Sequence, residues 1–134
     1  MRPNIFKVYL TATVAFLILE LTWIGLLARS FYIDQIGFLL SDNPNWLAAV
    51  LFYLLFIAGL LYFSILPALN DKAVKKGAIQ AAFYGLITYG TYSLSNLSLI
   101  KNWPVSVSVL DMTWGTIVSV MVYFVTLNVS KRLF

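Results

Sequence analysis

The sequence predicts an all-α integral membrane protein: a bundle of four transmembrane helices, with both termini cytoplasmic and a short amphipathic outer segment between the first two helices. Three observations predict it. Of the 134 residues, 61% are hydrophobic and 10% are charged, whereas a water-soluble domain has nearer half and a quarter and needs more polar surface to cover itself. The apolar residues gather into runs of about 20, the length of a bilayer-crossing helix. None of the runs shows the alternation over roughly 9–11 residues that marks a barrel strand. The whole chain, 1–134, reads as a single transmembrane domain.

The first span, about 8–28, is interrupted only by Glu20. Arg2 and Lys7 before an apolar run also suit a signal peptide, but the run is too long, holds an acid and lacks a small-residue cleavage site. It reads as a retained helix. Segment 30–40 is too short to span and is expected as an amphipathic turn or short helix on the outer interface. Asn43-Pro44-Asn45 opens the second span, 46–66, which contains no charged residue and is expected to end at Pro67. A polar stretch, 70–76, leads to the third span, 78–99, which carries Tyr89, Tyr92 and Asn96. Asn102-Trp103-Pro104 opens the fourth, 105–129, which carries Asp111.

Orientation follows from the basic residues. Arg2, Lys7, Lys72, Lys75, Lys76, Lys131 and Arg132 fall at one end of such a bundle, with only Arg29 and Lys101 at the other. Cytoplasmic loops carry the Lys and Arg excess, so the termini and middle loop are expected inside. Trp46 and Trp103 would form an outer aromatic belt. The net charge of +4 is thus a topology signal; membrane lipids are the expected partners, and no nucleic acid is.

Cys and His are both absent, which removes disulfides, thiol nucleophiles, the commonest general base and the commonest metal ligand. No Gly-rich phosphate loop is present. No metal and no cofactor are expected.

What remains is carboxylate chemistry. An acid at the bilayer centre costs about 2.5–3.5 kcal/mol on insertion scales, so it faces a bundle interior or wet cavity. Glu20 and Asp111 lie roughly 12 and 9 Å from the outward ends of their spans, at about 1.5 Å per residue. Helical spacing puts Tyr9, Thr13, Phe16, Glu20, Trp23 and Leu27 on one face. It does the same for Ala78, Ala82, Gly85, Tyr89, Tyr92 and Asn96, and for Ser108, Asp111, Gly115 and Ser119 with Trp114 beside them. Three stripes pointing at each other would leave the second helix outside.

Two strings are alike: Glu20-Leu21-Thr22-Trp23-Ile24-Gly25 and Asp111-Met112-Thr113-Trp114-Gly115. In each, an indole N–H could donate to the acid of the partner helix, with Gly permitting close approach. Simple interhelical adhesion, about 0.6 kcal/mol per hydrogen bond, is the readier account of Asn96, Thr88, Thr91, Ser108 and Ser119 taken singly. It accounts poorly for Glu20 and Asp111, since a neutral amide would adhere at lower cost. The candidate ligand-binding or proton-sharing set is Glu20, Trp23, Tyr89, Tyr92, Asn96, Asp111 and Trp114; no residue is assigned as catalytic.

These strings, with Phe31-Tyr32, Asn45-Trp46, Leu66-Pro67-Ala68, Tyr89-Gly90-Thr91-Tyr92-Ser93-Leu94-Ser95-Asn96 and Trp103-Pro104, resemble the bacterial membrane family catalogued as domain of unknown function number 2177. The resemblance covers nearly the whole chain. It implies a small four-span inner-membrane protein and brings no established activity. Two positions depart from the family's pattern, Glu20 and Ser93, where Asp is usual.

Three functions compete. The favoured one is binding or transport of a small cation or amphiphile in an outward-facing polar pocket with paired carboxyls; transport would need a homo-oligomer. The alternatives are a membrane-embedded enzyme doing acid/base chemistry on a lipid or isoprenoid, and a non-catalytic subunit of a larger membrane complex. An enzyme is the less favoured.

Overall fold

A computed structural model describes residues 4–133, all of whose regular structure is helical. Arg2, used above for orientation, lies outside the described residues. Helix α1 (Ile5–Thr22) begins where the Asn4 side chain accepts the Lys7 N–H at 3.2 Å, an N-cap that satisfies a free helix-end donor. It continues as a π turn, Trp23–Leu27. Helix α2 (Arg29–Ile36) and a 3₁₀ turn (Gly37–Leu39) follow, so most of segment 30–40 is helical. Asn45 caps α3 (Trp46–Leu60) in the same way as Asn4 caps α1.

Pro67 does not end this helix. The chain passes through a second π turn, Leu61–Ile65, into α4 (Leu66–Asp71). Proline has no N–H and collides with the carbonyl four residues back. Widening the preceding turn to the i→i+5 pattern makes room for the ring, and proline is then tolerated at the start of α4. The helix stops instead at Lys72, whose φ of 57° is left-handed. Ala73 leads into α5 (Val74–Leu99), which therefore takes up Lys75 and Lys76. Asn102, at φ 66°, turns the chain into α6 (Val105–Leu133).

Among the described residues, three helical stretches are long and apolar enough to cross a membrane: Ile5–Leu27, Trp46–Asp71 and Val105–Leu133. Helix α5, with 26 residues, has the length, about 39 Å at ~1.5 Å per residue, but a more polar composition. The exterior is apolar, with Leu26, Leu47 and Leu99 all largely exposed. Lipid tails are as apolar as leucine, so helices in a bilayer are held by close packing and hydrogen bonds and not by the burial of apolar surface.

Both devices are present. A Cβ added to Gly85 would overlap the Gly115 carbonyl, and one added to Gly115 would overlap the Tyr89 ring. Across the other seams, Ser64 donates to the Gly77 carbonyl at 2.7 Å, Tyr84 to that of Phe56 at 2.8 Å and Tyr123 to that of Val74 at 2.6 Å. Around them Phe16, Ile57, Leu60, Ile65, Val118 and Val122 form a fully buried core. The second long helix is thus not an outside filler. Its later half enters the core, and its first half walls a cavity.

Candidate functional site

The end of the molecule where α1 stops and α6 starts holds a cavity of about 560 Å³. Glu20 and Ile24 line it from α1, Tyr32 and Ile36 from α2, and Ala49, Phe52 and Tyr53 from α3. Thr88, Tyr89 and Tyr92 contribute from α5, Asp111 and Trp114 from α6, and Leu40 from the loop. The two acids open onto the same space, as their matched depths in the chain require. No Lys or Arg lines it.

Each carboxylate has its own donors. Glu20 Oε2 accepts the Trp114 indole N–H at 2.8 Å and the Tyr89 hydroxyl at 3.2 Å. Asp111 Oδ1 accepts the Tyr32 hydroxyl, and its Oδ2 accepts the Ser93 hydroxyl at 3.1 Å. Tyr32 Oη in turn receives the Trp23 indole N–H at 3.4 Å. The Trp23 and Trp114 rings stack at 4.4 Å with planes 5° apart. The paired indoles therefore tie the two acids together, Trp114 directly to Glu20 and Trp23 through Tyr32 to Asp111. Burial, and next the bond to Asp111, push the Tyr32 phenol up, so it remains a proton donor across the physiological range.

The reciprocal acid–indole pattern read from the two strings is thus present on one side and routed through a tyrosine on the other. Gly115 is the glycine that permits close approach; Gly25 has open space around it. Of the other sequence-derived candidates, Tyr89 and Trp114 hold Glu20, while Tyr92 shares the cavity with Asp111 without a hydrogen bond to either acid and Asn96 is not in the lining. Tyr92 is 54% exposed at the cavity rim, engages the Asn96 side chain and meets the Trp103 ring edge-on at 6.2 Å. The face of α5 is rotated from the expected one. Its buried residues are Gly77, Ala81, Gly85, Gly90 and Ser93, because small residues mark the contact seam in lipid and the sequence stripe began one residue late, at Ala78. Leu27, also expected on the buried face, is turned outward by the π turn.

Trp103 does not belong to an outer belt. It is 8% exposed, packs with Ile36 and Val107, and donates its indole N–H to Ser108 Oγ at 3.1 Å. Trp46 is exposed. The sequence reading missed Tyr32 and Ser93 as partners of Asp111. A stricter i+4 reading of Gly77, Ala81, Gly85, Tyr89 and Ser93 would have found the latter, and the shared Phe31-Tyr32 string pointed to the former.

Among the described residues no group of three or more Asp, Glu, His or Cys is placed to hold a metal. The site can therefore accept hydrogen bonds or positive charge through two carboxylates within an otherwise aromatic and aliphatic wall. A family model described as predicted membrane protein, DUF2177, matches residues 5–128. No curated protein and no solved structure matches.

Proposed function

Because the chain belongs to the DUF2177 family of predicted membrane proteins, we propose that it is a multi-pass protein of the bacterial inner membrane whose cavity binds, and in an oligomer transports, a small cation or amphiphile. Helix α5 serves in this reading as the fourth span, with both termini cytoplasmic and the cavity in the outer half of the bilayer. The basic residues support that orientation: Lys72, Lys75, Lys76, Lys131 and Arg132 cluster at the end remote from the cavity.

One observation carries the functional reading: two carboxylates face one cavity, and no basic side chain lines it to neutralise them. With no basic partner, the two acids are left for a cation brought to them, and among apolar walls its charge and theirs interact more strongly than in water. The rings of Tyr32, Tyr53, Tyr89 and Trp114 around it can add cation–π attraction of about 0.5–2 kcal/mol each. The volume lies within the roughly 300–1,000 Å³ of small-molecule sites.

Tetraphenylphosphonium binding to the protein in nanodiscs tests the proposal, read by the emission of Trp114 and Trp23. Saturable binding that Glu20→Gln and Asp111→Asn each weaken at least about tenfold, ~1.4 kcal/mol, is the expected result. Binding that is unchanged in both variants refutes it.

A further inference from the structure

The cavity is bounded differently on two of its sides. Toward the end of the bundle it is closed. Helix α2 lies across it, placing Tyr32 and Ile36 in its wall, with Leu40 beyond. Ile36, Trp103 and Val107 form a second apolar cluster there, against which Phe31, Leu97 and Ile100 pack. Trp103 and Ser106 fasten this cover from α6 and the loop before it: the Trp103 indole bonds to Ser108, and the Ser106 hydroxyl donates to Gln35 Oε1 at 2.9 Å.

Sideways it is open. Among the described residues, every hydrogen bond and ring contact that α3 and the π turn after it make with α5 involves Phe56 or a residue after it: Ser64 to the Gly77 carbonyl, Tyr84 to the Phe56 carbonyl, Phe56 with Tyr84 and Tyr89, and Phe63 with Tyr84. Before Phe56, residues Ala49, Phe52 and Tyr53 face Thr88, Tyr89 and Tyr92 across the cavity with no such contact. On this side Phe52 and Tyr92 line the cavity while remaining 45% and 54% exposed.

We infer that the site loads laterally from the bilayer, through the gap between the first half of α3 and the later half of α5, and that its ligand is a single-chain amphiphile with an ammonium head. The head meets Glu20 and Asp111, and the chain lies along Phe52 and Ala49 and leaves through the gap. This rests on the proposed cation-binding role of the same cavity and adds the route and the ligand class. A ligand held only by its charge would leave the apolar wall at Ala49 and Phe52 without a partner. A neutral lipid would gain nothing from two unneutralised acids.

The chain contains no cysteine, so an Ala49→Cys, Tyr92→Cys pair can be bridged across the gap by a thiol-cleavable bis-methanethiosulfonate linker. Two probes are compared in nanodiscs, decyltrimethylammonium and tetramethylammonium. Bridging should weaken decyltrimethylammonium binding at least about tenfold, cleavage should restore it, and tetramethylammonium binding should change little. The Ala49→Trp plug should reproduce the same split should the cysteine pair fold poorly. Equal effects on both probes, or none on the chained one, overturn lateral loading. If Glu20→Gln still abolishes binding in those cases, the cation site stands without the lateral route. Failure of both probes to bind the unmodified protein overturns the cation site itself.

Discussion

The two ends of the bundle solve the same adhesive problem with different chemistry. At the end remote from the cavity, hydroxyls of Ser64, Tyr84 and Tyr123 donate to backbone carbonyls of neighbouring helices. The helices there close on Gly77 until a single added methyl would collide with Tyr123 and Ala68. At the other end four donors, Trp114, Tyr89, Tyr32 and Ser93, point at two carboxylates, and the helices leave a space between them. The first end demonstrates that this chain can be joined tightly without an acid. The acids therefore occur where the structure does not close, which is the strongest reason to read them as more than adhesive.

That contrast can be broken in graded ways. The largest effect is expected at the seam. Gly85→Ala drives a Cβ into the Gly115 backbone, which cannot swing aside as a side chain can; a loss of about 3 kcal/mol or more, seen in thermal unfolding in detergent, is expected. A neutral result would mean that α5 and α6 can separate freely.

Next comes the acid end. Glu20→Leu strands the Trp114 and Tyr89 donors, whose unpaired burial costs about 1–3 kcal/mol each. Glu20→Gln retains an acceptor and should cost less than about 1 kcal/mol while still abolishing cation binding. Equal destabilisation by both would make Glu20 adhesive after all. Tyr32→Phe removes one hydrogen bond to a charged group, worth about 1.5–3 kcal/mol, and should loosen α2 over the cavity, detected as faster amide exchange in that helix. Smallest is Ser119→Ala. The Ser119 hydroxyl is fully buried with no partner, so its removal should leave stability within about 0.5 kcal/mol or raise it. A marked loss would reveal a water bound there.

The helical architecture and the level of the site were legible in the sequence for simple reasons. Apolar run length reads directly as membrane thickness, and a fixed rise per residue put Glu20 and Asp111 at one depth. The α6 stripe was legible too, since Ser108, Asp111, Trp114, Gly115 and Ser119 are all buried together. What was not legible depends on how the chain folds back. Tyr32 reaches Asp111, 79 positions away, only because α2 turns over the bundle, and no periodicity within an eight-residue helix announces that. Trp103 looked like an interface anchor because it precedes a span beside Pro104; its burial follows from Ile36 arriving to cover it. Pro67 looked like a terminus because a π turn leaves no compositional trace.

The stacked indoles have a practical consequence. Two such rings lying nearly parallel at 4.4 Å share their excited states, so the protein has a native optical gauge of the register between its first and last long helices. Any event that slides one past the other, or pries Trp23 from Trp114, changes the near-ultraviolet dichroism without a label having been attached.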